Sequence, residues 1–142
     1  MTALAVPRRR DQLRCGGKGE GGLEVAGTKG QIFLTWRETG EWAEVPDLKL
    51  RYRSVAFGAE GQETRAVMVR YEPGSKVPVH YHPTDYCSIV VEGSIEITRR
   101  VHEPGSVRVV KAGTAYGPLR VGAQGCTVID IFASGEQGVT YL

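Results

Sequence analysis

At 142 residues, with 41% hydrophobic and 24% charged side chains, the chain has the composition of one ordinary globular domain, long enough to bury a core. A net charge of +2 is too small to imply a nucleic-acid partner, and no apolar run reaches the ~18–20 residues that span a bilayer. Three cysteines, Cys15, Cys87 and Cys126, form no Cys-x-x-Cys pair, which points to reduced thiols in a cytoplasmic protein.

Residues 1–30 carry glycines at 16, 17, 19, 21, 22, 27 and 30 among charges, with Arg8, Arg9 and Arg10 as a solvated basic run. Residues 1–7 precede those arginines and do not read as a secretory signal. Such a stretch cannot bury enough apolar surface to offset its ordering entropy. It is expected to be an arm with a short strand near Leu23-Glu24-Val25, flexible or ordered only in an oligomer. The globular domain is expected over 31–142.

From Gln31 the texture changes. Gln-Ile-Phe-Leu-Thr-Trp over 31–36 is apolar and β-prone, and Trp42, Leu48, Leu50, Tyr52, Val55 and Phe57 punctuate short strands between Gly40, Pro46 and Gly58. A strand over 66–71 ends at the turn Glu72-Pro73-Gly74. Further strands are expected over 87–91, a turn at Glu92-Gly93, then 94–101, 107–110, 116–121 and 126–132. No segment has a helical period. Strands this short at this turn spacing read as an all-β sandwich or barrel.

His80 and His82 sit at i and i+2. On an extended strand both side chains reach the same face, roughly 7 Å apart, an arrangement that can supply two ligands to one metal ion, although the spacing alone favours two surface histidines on an alternating strand. Asp130 interrupts the most apolar strand, Cys-Thr-Val-Ile-Asp-Ile-Phe, where a carboxylate needs a partner, a proton or a metal. Asp85 is expected on the face opposite Tyr86. Cys87 and Cys126 read as small buried hydrophobes, Trp36 and Trp42 as wall or dimer-contact residues, and His102 as a solvated turn residue.

The spacing Gly74-x5-His80-x-His82-x3-Tyr86-x6-Gly93 resembles the first motif of the cupin superfamily, G-x5-H-x-H-x3/4-E-x6-G, with tyrosine in place of the glutamate. The second motif, G-x5-P-x-G-x2-H-x3-N, has its counterpart in Gly105 and Gly113, with Lys111 for proline, Tyr116 for histidine and Arg120 for asparagine. Over 31–142 the chain is therefore similar to a single-domain cupin. That resemblance implies a small jelly-roll barrel, a double-stranded β-helix, whose two motifs face each other across the mouth.

It also implies a site. Carried over position by position, His80, His82, Tyr86 and Tyr116 surround the metal place, where a divalent or ferric ion (Fe, Mn, Zn or Ni) is expected. The two tyrosines either ligate it or fill the barrel and hydrogen-bond the histidines. Asp130 is expected to replace the missing carboxylate ligand or to pair with Arg120, which by alternation shares Tyr116's face with Pro118.

The implied function is a metal-dependent enzyme of isomerase, cyclase/dehydratase or dioxygenase type, acting on a small oxygenated or anionic molecule. Tyr86 or Tyr116 would serve in acid–base chemistry and Arg120 would hold the substrate's anionic oxygen. The alternative is a non-catalytic ligand- or metal-sensing module. A homodimer is expected from exposed strand edges.

Overall fold

The computed structural model describes residues 22–24, 31–33, 41–136 and 138–142. The chain divides into two units, Met1–Gly40 and Glu41–Leu142. In the first, β1 (Gly22–Glu24) pairs antiparallel with β2 (Gln31–Phe33), Leu23 opposite Ile32. The division thus falls beyond the composition break at Gly30, because β2 groups with β1. Val25, Trp36, Cys15 and the arginine run lie outside the described residues.

The second unit is all-β. Its strands are β3 (Ala43–Val45), β4 (Leu50–Phe57), β5 (Thr64–Tyr71), β6 (Lys76–Val77), β7 (His80–Tyr81), β8 (Tyr86–Ile97), β9 (Arg100–His102), β10 (Val107–Val110), β11 (Leu119–Phe132) and β12 (Thr140–Tyr141). A single 3₁₀ turn at Pro46–Leu48 joins β3 to β4, and no helix among the described residues is long and apolar enough to cross a membrane. The main sheet runs β10-β8-β11-β5-β4-β3 with every pairing antiparallel; β9 adds to β8 and β6 to β11, while β12 pairs β7 separately.

Period-2 alternation decides what faces inward. Val67 and Val69 of β5, Val90, Ile95 and Ile97 of β8, and Val121, Val128 and Phe132 of β11 form the buried cluster. Ile95, at 2% exposure, is its best-covered large side chain.

The turn expected at Glu92-Gly93 is instead a kink inside β8, which continues to Ile97 and turns at Thr98 and Arg99, both with positive φ. Gly93 sits where the β8–β11 register shifts, at φ 69°. A Cβ on it would fall 2.0 Å from the Gly125 carbonyl oxygen, so only glycine lets the two strands approach this closely.

Candidate functional site

The inner faces of β5, β8, β10 and β11 enclose a mainly apolar cavity of about 300 Å³, reached by a few polar groups. One polar row crosses three adjacent strands. Arg108 on β10 is registered with Ser88 on β8, and Ser88 with Asp130 on β11. All three side chains line the cavity.

Beside this row, the two motifs meet. His80 and Tyr116 form an antiparallel bridge, His80 N–H donating to the Tyr116 carbonyl at 3.1 Å and Tyr116 N–H to the His80 carbonyl at 3.0 Å. The His80 and His82 ring centroids lie 5.3 Å apart, nearly perpendicular. The Tyr86 ring stacks on Phe132 at 4.9 Å. Near the mouth, His82 Nδ1 donates to the Gly138 carbonyl at 2.8 Å, just before β12, whose Tyr141 ring lies 5.9 Å from that of His80.

Donor and acceptor counting fixes the protons of the central chain. His80 Nδ1 lies 2.8 Å from the Pro78 carbonyl and must donate to it. A neutral ring then offers Nε2 as an acceptor, filled by the Tyr116 hydroxyl at 2.9 Å. Tyr116 in turn accepts from the Tyr86 hydroxyl, and Tyr86 accepts from Arg108 Nη2 at 3.4 Å. Arginine can only donate and a carbonyl can only accept, so both ends lock the direction. Burial, with the charges of His82 and Arg108, holds His80 below its ordinary 6.5 despite the Pro78 hydrogen bond, and keeps it neutral.

Burial also raises both phenols: Tyr86 rises well above 10, and Tyr116 rises although its hydrogen bonds and Arg108 pull the other way. The Arg108 guanidinium carbon lies 4.6 Å from the Tyr116 ring centroid, close enough for a cation–π contact.

Asp130 is the unsatisfied member of the site. Its Oδ1 is buried with no hydrogen-bond partner. Burial pushes the carboxyl up from its ordinary 3.8 to about 6, against the Ser88 hydrogen bond and the Arg108 charge.

The structure brings His80, His82, Tyr116 and Asp130 to one cavity, with Tyr86 behind its wall against Tyr116 and Phe132, but not Arg120. Arg120 projects outward, its side chain 61% exposed, and pairs with Glu96 at 3.7 Å. Alternation counted from Tyr116 fails because β11 begins afresh at Leu119, which is buried, so the next residue faces out. Asp130 therefore does not pair with Arg120. The cation of the site is Arg108, which sequence reasoning missed; its signal was a lone arginine inside the alternating Val-Arg-Val-Val of β10. His102 was missed too: it lies on β9 and lines the cavity, its pKa lowered by burial and by Arg108 and Arg100. Asp85 lies away from the cavity, held by Lys111 and by the Ala112 N–H at 2.7 Å.

A metal ion fits this donor set poorly. Among the described residues no three His, Cys, Asp or Glu side chains converge. The Nε2 lone pair of His80 is used by Tyr116, both phenols resist ionisation, and the Arg108 charge sits where a cation would be repelled. Asp130 lies across the cavity on β11 and does not complete a sphere with the two histidines.

Comparison with known proteins agrees with this architecture. The family model described as the ChrR cupin-like domain matches residues 31–132. An RmlC-like cupin from Shewanella frigidimarina superposes with a TM-score of 0.60 at 23% identity, over 71% of this chain and 89% of that one. The polyketide cyclase RemF from Streptomyces resistomycificus gives 0.57 at 18% identity, over 66% and 71%. A Bacillus subtilis oxalate decarboxylase with Mn(II) centres gives 0.53 at 17%, over 63% of this chain and 26% of that one. At these identities the likeness is one of fold. No curated protein matches the chain.

Proposed function

The chain belongs to the ChrR cupin-like domain family, and we propose that it binds a small oxygenated or anionic organic molecule and moves a proton on it. The observation that carries this reading is Asp130, a carboxyl with a buried, unpartnered Oδ1 and a pKa of about 6 in a mainly apolar cavity. A carboxyl so poised is mostly ionised at neutral pH, yet basic enough to take a proton and return it. Arg108, two strands away on the same face, supplies the charge that holds an anionic oxygen.

The reaction this supports starts from a carbonyl compound. Asp130 takes the proton from the carbon next to the carbonyl. The C–H electron pair moves into the new C=C bond, and the carbonyl pair onto oxygen, giving an enolate opposite Arg108. Where the substrate also carries a β,γ C=C bond the enolate is a dienolate, and return of the proton from Asp130 to its γ-carbon, with the carbonyl re-formed and the double bond now between the α- and β-carbons, completes an isomerisation; departure of a β-hydroxyl as water, protonated by the Asp130 acid, completes a dehydration. Tyr86 and Tyr116 do not exchange protons in this scheme. Their raised pKa values suit them to fix Arg108 and His80 in place. Free Cys87 and Cys126 support a reducing compartment, the cytoplasm.

The test works whatever the natural substrate is. A panel of 2-oxo and 3-oxo carboxylic acids is incubated with the protein in D2O, and deuterium at the carbon next to the carbonyl is followed by NMR. Exchange catalysed by the wild type and lost in Asp130→Asn supports the reading. Saturable binding with no exchange in any member would overturn it in favour of a non-catalytic ligand-sensing module.

A further inference from the structure

The cavity has two chemically different ends. One is the polar row of Arg108, Ser88 and Asp130. Among the described residues Arg108 is the one lysine or arginine that lines the cavity, and Asp130 the one carboxylate. His102, on β9, and Ser106, just before β10, stand along the same edge of β8 as Arg108.

Two residues further along each strand the lining turns apolar. Val90, Val128, Val69 and Tyr52 are registered across β8, β11, β5 and β4, and Tyr71 and Leu50 form the next row. Another row, Val77, Leu119 and Ile97, crosses β6, β11 and β8, and its members are 5%, 3% and 7% exposed. Side chains on one face repeat every ~7 Å along a strand, so the two rows after Asp130 carry the floor roughly 14 Å beyond it. The Tyr71 phenol adds no charge there, since burial and then the Asp130 charge raise its pKa well above 10.

We propose that the ligand is a 2-oxo monocarboxylic acid with an apolar tail of about five to seven carbons, its head at Arg108 and its tail on the floor of Val69, Val90 and Val128. This rests on the reading of the cavity as a site of carbonyl chemistry, and narrows it. A 2-oxo acid carries its carboxylate and carbonyl oxygens on adjacent carbons, so one guanidinium fork meets both. The next carbon is the one Asp130 deprotonates, and the tail leaves from it towards Val128, one row on. A second carboxylate at the far end of the tail is excluded. It would lose its water among valines with no cation to meet it.

Calorimetry of the full-length protein with straight-chain 2-oxo acids, from 2-oxobutanoate to 2-oxodecanoate, tests the assignment. Affinity should rise about fourfold per methylene, the usual worth of a buried CH2, and level off near 2-oxooctanoate. 2-Oxohexanedioate should bind at least about tenfold more weakly than 2-oxohexanoate. Val69→Phe, which fills the floor, should move the plateau to shorter acids, and Leu50→Ala, which deepens it, to longer ones. Arg108→Gln should weaken every acid by one common factor. Affinity that ignores chain length, or a dicarboxylate that binds as well as its monocarboxylate, would overturn the proposal; these two results need only the wild type. So would a plateau unmoved in both floor variants when their circular dichroism spectra match the wild type. Deuterium exchange is read separately on the same acids. Length-dependent binding without exchange leaves the ligand class standing and removes the proton transfer, whereas Asp130-dependent exchange without length dependence removes the ligand class alone.

Discussion

The Tyr116 hydroxyl donates to Nε2 of His80 across 2.9 Å because Nδ1 of the same ring is committed to the Pro78 carbonyl. That one contact explains how tyrosine stands in a position where the motif has a histidine. It fills the lone pair that a metal would otherwise use, and the Tyr86 hydroxyl fills the acceptor this leaves on Tyr116.

Removing the middle of this chain should therefore cost more than removing its start. Tyr116→Phe strands both the His80 acceptor and the Tyr86 donor, for about 2–3 kcal/mol in urea unfolding. Tyr86→Phe strands an acceptor lone pair and one guanidinium N–H that can turn to solvent, for about 1 kcal/mol. The opposite order would refute the assigned proton directions.

Asp130 sets a pH dependence of definite sign. Its carboxyl is raised from 3.8 to about 6 in the folded protein, so between these values the folded state binds the extra proton. Its burial therefore costs stability above about 6, and that cost is relieved as pH falls towards 3.8, by roughly 3 kcal/mol at most. His80 acts oppositely: its lowered pKa means stability is lost as pH falls through 6.5, where the unfolded ring protonates. The difference between wild type and Asp130→Asn isolates the carboxyl. The variant should be the more stable one at pH 8, and its advantage should shrink through pH 6 to 4 in thermal or urea melts.

Metal ions should have little hold on this donor set. Saturating Zn(II), Mn(II), Fe(II), Ni(II) or Cu(II) is expected to shift the melting temperature of the wild type no more than that of His80→Ala/His82→Ala, since a ligand raises stability only by binding the folded state. A rise confined to the wild type would show that Tyr116 yields His80 to a metal.

The two arginines near the second motif should separate cleanly. Arg120→Gln removes a 61%-exposed side chain paired across 3.7 Å and should change stability by less than ~0.5 kcal/mol, with no effect on ligand binding. Arg108→Gln should weaken binding of carboxylate-bearing ligands in calorimetry by roughly tenfold to a hundredfold, the usual worth of a charged hydrogen bond. Equal effects from both would mean that the cavity does not use Arg108.

The frame of this site was legible because it rests on spacing. Gly74, Gly93, Gly105 and Gly113 all have positive φ, a demand that glycine shows openly in a sequence. His80, His82 and Tyr86 follow at fixed distances from them along one stretch of chain. What failed was parity across a break. Counting from Tyr116 through Gly117 and Pro118 turns Arg120 inward, but alternation survives only within one continuous strand, and β11 starts at Leu119. Arg108 could not be placed from sequence because nothing local says which face of β10 looks inward; its pairing with Ser88 decides that. Cys-Ser-Ile-Val-Val over 87–91 is nearly unbroken apolar, as in a strand covered on both sides.

The central claim is that a carboxyl in this pocket is poised close to neutrality, and titration of Asp130 tests it most directly. The side-chain carboxyl carbon is followed by ¹³C NMR against pH in protein labelled at aspartate, with the resonance assigned by its absence in Asp130→Asn. The account predicts a midpoint near 6. A midpoint at the ordinary carboxylate value, close to 3.8, would contradict it and remove Asp130 as the proton-transfer group.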